Sequence, residues 1–111
     1  VDDTILLKDD DVLKKISVND IYYLESQQHY IIVHTKTGNI RIRESMKNME
    51  RRLEKSYFQR CNVSYLVNLA HVSSIDRDIV VVGGERIPMS RQKSKSFVSA
   101  LTDYIGGNIN A

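Results

Sequence analysis

Residues 30–43 read YIIVHTKTGNIRIR, and their alternation decides the fold class. Tyr30 to Thr35 is rich in strand formers, Lys36-Thr37-Gly38 reads as a tight turn, and Asn39 to Arg43 is a second strand. In that second strand Ile40 and Ile42 face one side, while Asn39, Arg41 and Arg43 face the other. An antiparallel sheet with one face on a core and one in water produces this period of two.

The same reading extends in both directions. Towards the N-terminus, Thr4 to Lys8 and Val12 to Ser17 read as strands around a turn at Asp9 to Asp11. Asn19-Asp20 is a turn or cap before a strand over Ile21 to Ser26, and Gln27-Gln28-His29 is a polar break. Towards the C-terminus, Ser45 is a helix N-cap. Met46, Met49 and Leu53 follow at helical spacing, with Tyr57 as a further candidate, and Arg51, Arg52 and Lys55 come late, where cations suit the helix dipole. The Met stripe reads as core packing. Gln59 to Asn62 is short and extended, and Ser64 to Val67 fits either extended chain or one helical turn.

Val72 to Arg77 and Ile79 to Val82 read as strands on either side of a turn. Gly83-Gly84 makes a hairpin turn, and Arg86 to Met89 is the return strand. Pro88 has no N–H to give to a ladder, which makes that strand an edge. Phe97, Val98, Leu101, Tyr104 and Ile105 mark a helix over Arg91 to Tyr104, ended by Gly106-Gly107. The expectation is a mainly β fold of small antiparallel sheets with one or two short helices, occupying residues 1–111 as a single domain frayed at 1–3 and 106–111.

A chain of 111 residues with 41% hydrophobic content can build one core without metals or disulfides. There is no signal peptide and no apolar run near the ~18 residues of a membrane span, which implies a soluble chain. Starting at Val1 rather than Met, it reads as a piece of something longer. Cys61 is alone, so no internal disulfide forms, in agreement with a reducing compartment. The net charge of +2 is unevenly spread: residues 1–20 carry six Asp against three Lys, residues 21–60 eight Lys/Arg against four Glu. A basic middle suits a polyanion as well as an ordinary solvated surface.

Little points to catalysis. His29, His34 and His71 show no metal-ligand spacing with one another or with Cys61, so no metal site and no cofactor are expected. Ser64 and Ser90 lack the context of an activated nucleophile, and no Lys-Ser/Thr helix start follows Gly83-Gly84 as a phosphate loop requires. Polar groups concentrate instead in three loops: Ser26 to Tyr30, Arg60 to Ser64, and Ser90 to Lys95. Cations and amides at rigid strand ends suit phosphates and base edges.

Two segments carry a family resemblance: FQRCNVSYLVNLAHVSSIDR over Phe58 to Arg77 and GGERIPMSRQKSKSF over Gly83 to Phe97. They resemble the LytTR-type DNA-binding domain, the output module of many bacterial response regulators, from about Ile16 to Tyr104. The resemblance implies stacked small antiparallel sheets with short helices, a cytoplasmic location, and loops that enter successive major grooves. His29 then matches a residue that reaches a base edge, and Arg91 matches an arginine that reads guanine, whose O6 and N7 fit a guanidinium fork. The middle loop departs from a familiar version of the pattern: Asn62 stands where His is common, and Val63, which offers only an apolar contact, stands where Asn can read a base. Asn62 is the third candidate for a base contact. Candidate backbone contacts are Gln28, Tyr30, Arg43, Ser45, Lys47, Arg60, Ser64, Asn68, Ser90, Lys93 and Lys95; Arg60 and Ser64 also read as loop supports and Asn68 as a turn cap. The resemblance further implies an upstream receiver domain and dimerisation on paired direct repeats. The rival reading is a β-rich module that binds a protein partner along the Pro88 edge. Cys61 invites a redox role, but its apolar neighbours read better as burial.

Overall fold

A computed structural model describes residues 3–106; the residues expected to fray at 1–2 and 107–111 lie outside that range. Ten strands and two α-helices follow one another: β1 Thr4–Asp9, β2 Val12–Ser17, β3 Ile21–Gln27, β4 Tyr30–Thr35, β5 Gly38–Ile42, α1 Met46–Arg52, β6 Phe58–Asn62, β7 Tyr65–Asn68, β8 Val72–Asp76, β9 Ile79–Val82, β10 Glu85–Pro88 and α2 Arg91–Tyr104. The strands form three antiparallel sheets, β1-β2, β10-β9-β8 and a central β5-β4-β3-β7-β6. The fold expected from the alternation is the one observed.

The central sheet separates two apolar clusters, because successive side chains of one strand point to opposite faces. Leu24, Ile31, Val33, Ile40, Ile42 and Leu66 pack on one face with Ile5 and Leu7 of β1 and with Met46, Met49 and Leu53. Tyr23, Cys61 and Val67 pack on the other with Val80 and Val82 of β9, Ile87, Met89 and Phe97 of α2. Met49, Leu53 and Phe97 are fully buried, so truncating any of them to Ala costs ~2–5 kcal/mol.

Local chemistry explains most element ends. Ser45 caps α1 by accepting from the Asn48 N–H at 3.0 Å, and Ser90 caps α2 by accepting from the Lys93 N–H at 3.2 Å. Gly83 and Gly84 both take positive φ, 57° and 81°, as the two-residue turn between β9 and β10 requires. A Cβ on Gly83 would also lie 2.5 Å from Cγ of Tyr22, so the turn packs directly on that ring. Pro88 lies on β10, an edge of its sheet.

Two readings change. Ser64 to Val67 resolves into a turn at Ser64 and strand β7, which sits inside the central sheet between β3 and β6. The first helix ends at Arg52; Tyr57 is not on it, but is an exposed residue at φ 63° that starts the run into β6. The helix expected over Arg91 to Tyr104 is observed at those bounds, with Ser90 as its cap, so the polar stretch Ser90 to Lys95 is the start of that helix. No helix among the described residues is long and apolar enough to cross a membrane.

Candidate nucleic-acid interface

Three polar tips are joined edge to edge by hydrogen bonds. The first is the two-residue turn Gln28-His29 between β3 and β4, closed by the Gln27–Tyr30 pair. Both turn residues are exposed, and Gln28 takes φ 52° without being glycine. The second is the Val63-Ser64 turn between β6 and β7; the Ser26 N–H donates to the Ser64 carbonyl at 2.9 Å and ties it to the first. The third is the start of α2, where the Ser90 N–H donates to the Cys61 carbonyl at 2.9 Å. Asn62 Nδ2 adds a 2.6 Å bond to the Pro88 carbonyl. His29, Val63 and Arg91 thus project from one braced row.

The first tip opens into a groove shared with the start of α1. Gln28, His29, Tyr30, Arg43 and Ser45 line it together, which unites five of the sequence candidates. Arg43 donates to the Tyr30 hydroxyl at 3.0 Å, and Lys47 lies exposed one helical residue beyond Met46. At the third tip Arg91 and Lys95 are exposed, while Ser90 and Lys93 are half-buried.

The middle tip is built differently from a simple reading surface. Both ends of the Asn62 amide are engaged, Nδ2 to Pro88 and Oδ1 from the Ser64 N–H at 2.7 Å. The two bonds fix the orientation of the amide and leave one N–H and one oxygen lone pair free. Arg60 donates to the Val63 carbonyl at 3.3 Å and pairs with Glu50 at 3.3 Å, while its Nε is buried without a partner. These bonds hold up Val63, whose apolar side chain is 72% exposed at the apex. Asn68 is corrected: it is 3% exposed, donates to the Ile21 carbonyl at 2.9 Å and accepts from the Ala70 N–H at 3.0 Å. It caps a turn inside the fold, where its burial keeps the amide from any phosphate.

The other chemical candidates are built into the fold. Cys61 is fully buried with its Sγ 3.6 Å from the Pro88 carbonyl, and burial pushes its thiol up to about 11. His34 stacks on Tyr23 at 4.1 Å and bonds Glu25 at 2.9 Å, and Tyr65 reaches the same carboxylate at 3.4 Å. Desolvation first, then the carboxylates Glu85 and Glu25, raise the Tyr23 hydroxyl to about 12. His71 bonds the Asn19 carbonyl at 2.6 Å.

Arg41, not among the sequence candidates, also belongs to this surface. Arg41 lies with its guanidinium 4.3 Å from the centre of the Tyr30 ring. Alternation alone puts Arg41 and Arg43 on one face of β5. Bringing Tyr30 to them needs the cross-strand register, in which Ile31 pairs with Ile42 and Ile32 with Arg41.

The model of the LytTR DNA-binding domain matches residues 11–102. The chain belongs to that family. A LytTr DNA-binding domain assigned to a methyl-accepting/DNA response regulator of Bacillus cereus superimposes with a TM-score of 0.74 at 27% identity, covering 88% of this chain and 94% of that one. The transcriptional regulatory protein YpdB of Escherichia coli K12 is 28% identical over 106 residues, 86% of this chain and 42% of YpdB. The CO-responsive transcriptional regulator RcoM of Rhodospirillum rubrum is 42% identical over 52 residues, 47% of this chain and 22% of RcoM. This LytTR domain therefore spans less than half the length of either curated relative. Its family is one of DNA-binding domains carried by transcriptional regulators.

Proposed function

We propose that this LytTR domain binds double-stranded DNA sequence-specifically, with the His29 turn and the Arg91 helix start entering successive major grooves. The observation that carries this reading is the row of three tips tied by the Ser26–Ser64, Ser90–Cys61 and Asn62–Pro88 bonds. A braced row of exposed polar tips holds its spacing, and reading two grooves of one duplex needs a fixed spacing. Arg91 offers two parallel donors to guanine, a contact worth roughly 1–3 kcal/mol of discrimination. His29 offers one donor or acceptor. Val63 meets the intervening bases as an apolar contact, with Asn62 as its brace and, through the free N–H of its amide, a polar alternative. Gln28, Tyr30, Arg43, Ser45, Lys47, Arg60, Ser64, Ser90, Lys93 and Lys95 supply contacts to phosphates, which position the domain without reading sequence.

In the intact protein, residues 1–111 act as one output domain of a response regulator. An upstream receiver domain controls pairing of two copies on direct repeats. The deciding experiment selects bound DNA from a randomised duplex pool at moderate salt, using wild type, His29→Ala and Arg91→Ala. Wild type enriches a short motif, and each variant loses preference at a different position while keeping weak general binding. Failure to enrich any motif, or two variants indistinguishable from wild type, overturns the reading. Steep salt dependence separates it from partner binding along the Pro88 edge, because each neutralised phosphate contributes a slope of about −0.9.

A further inference from the structure

At the outer edge of the central sheet, Tyr30 and Arg43 of the first-tip groove also line a second groove with Arg41 and Lys8. Arg41 and Arg43 of the β5 side both lie over the Tyr30 ring, their guanidinium carbons 4.3 and 5.2 Å from its centre. Arg43 also donates to the Tyr30 hydroxyl at 3.0 Å. Lys8, from the neighbouring β1-β2 hairpin, and Asp10 complete the walls of this groove.

Ring stacking, not the lack of an ion pair, sets Arg41 and Arg43 apart, since most Lys and Arg residues of the described range form no ion pair. Elsewhere Lys14 pairs with Asp9, Lys36 with Asp20, Arg52 with Glu44 and Arg60 with Glu50. Lys8, Arg41 and Arg43 form no ion pair among the described residues, and Asp10 is the single carboxylate on the groove. Two guanidinium groups held against one ring have lost much of their rotamer freedom before any ligand arrives. Their remaining N–H groups form a fork that matches phosphate oxygens. Stacking on the ring favours Arg over Lys at this place.

The position of the groove selects the ligand. Tyr30 follows His29 directly, and β5 is the edge of the sheet opposite β6, so the groove lies beyond the His29 tip on the side away from the middle tip. We propose that Arg41 and Arg43, ordered on Tyr30, together with Lys8 across the groove, clamp a DNA backbone phosphate just outside the base pairs that His29 contacts. The contact rests on the DNA-binding reading and lengthens the footprint past the three tips. It carries no sequence information, while Asp10 opposes it.

The test measures affinity by fluorescence anisotropy across a salt series, on a wild-type-selected duplex and on a version trimmed at the His29-contacted base pair. Arg41→Gln lowers the magnitude of the log K against log salt slope by about 0.9 on the long duplex and leaves the preferred motif unchanged. Arg41→Lys restores the slope but not the whole affinity, and Asp10→Asn tightens binding. On the trimmed duplex Arg41→Gln and wild type bind alike. An unchanged slope and affinity for Arg41→Gln on the long duplex overturns the clamp, as does a difference that persists on the trimmed one. Chemical-shift titration with inorganic phosphate distinguishes a site for the free ion: saturation that depends on Arg41, with no change in the DNA slope, also overturns it. Wild type failing to bind any duplex sinks the DNA-binding reading itself, whereas a normal wild type with an identical Arg41→Gln sinks the clamp alone.

Discussion

The Ser26 N–H donates to the Ser64 carbonyl at 2.9 Å, so the end of β3 holds the turn between β6 and β7 through main-chain atoms. Because no side chain makes this bond, substitutions at either serine leave it in place. The spacing between the His29 and Val63 tips is therefore set by strand pairing, and on the proposed DNA-binding reading side-chain changes at the tips alter what is read without moving where it is read.

Asn62 is the side chain on which the middle tip depends. In Asn62→Ala the Ser64 N–H and the Pro88 carbonyl each lose a partner. We expect a loss of roughly 1–3 kcal/mol in stability by urea unfolding, with DNA affinity reduced on all sequences. A variant of wild-type stability that loses preference at a single base pair would instead make Asn62 a reader.

Val63→Ala separates reading from folding in the opposite sense. With 72% of Val63 exposed, melting should stay within about 0.5 kcal/mol of wild type. Preference for thymine between the two outer contacts should weaken in a selection experiment. A variant that selects the wild-type motif with the same stringency removes Val63 from the interface.

Gly83→Ala should destabilise by roughly 1–3 kcal/mol, since the new Cβ meets the Tyr22 ring at 2.5 Å and the residue sits at φ 57°. Adding Tyr22→Ala should recover the part due to the clash and leave the part due to backbone conformation. If the double variant is simply the sum of the two losses, the Gly83–Tyr22 contact does not set the energy of this turn.

Alkaline pH should loosen the second cluster first. Burial raises Cys61 from 9.0 to about 11 and Tyr23 from 10.0 to about 12. Both groups keep their protons longer in the fold than in the unfolded chain. Their contribution is thus complete below about pH 9 and is lost as pH rises through 9–12. At neutral pH the protonated, buried thiol should react with iodoacetamide far more slowly in the native protein than in urea. Equal rates would place Cys61 at the surface.

Much of the fold was legible because local rules governed it. The alternation at Asn39 to Arg43, the Gly83-Gly84 turn, the edge at Pro88, the cap Ser45 and the helix over Arg91 to Tyr104 all depend on neighbours within a few residues. Strand β7 was not decidable, because Tyr65–Asn68 becomes a strand only by pairing with β3 and β6 at once. The engaged state of Asn62 and the burial of Asn68 likewise depend on Pro88 and Ile21, 26 and 47 residues away in sequence. Tyr57 misled through periodicity: its spacing from Leu53 is helical, but the chain turns at φ 63° there to begin β6. The grouping of Arg41 with Tyr30 required the register between β4 and β5.

The two apolar clusters on opposite faces of the central sheet hang the tips on different foundations. The His29 turn joins β3 and β4, which the first cluster holds with α1, whereas Arg91 begins a helix anchored by Phe97 and Met89 in the second. Partial opening of the second cluster would release the α2 end while β3, β4 and β5 stay folded. On the proposed DNA-binding reading, such a form would keep the contacts of the His29 turn and lose those of Arg91. Native-state hydrogen exchange would record it as early exchange in α2, β9 and β10 ahead of β3 and β4. A substitution deep in the second core, far from any base, could therefore be felt first as relaxed selectivity and only later as unfolding.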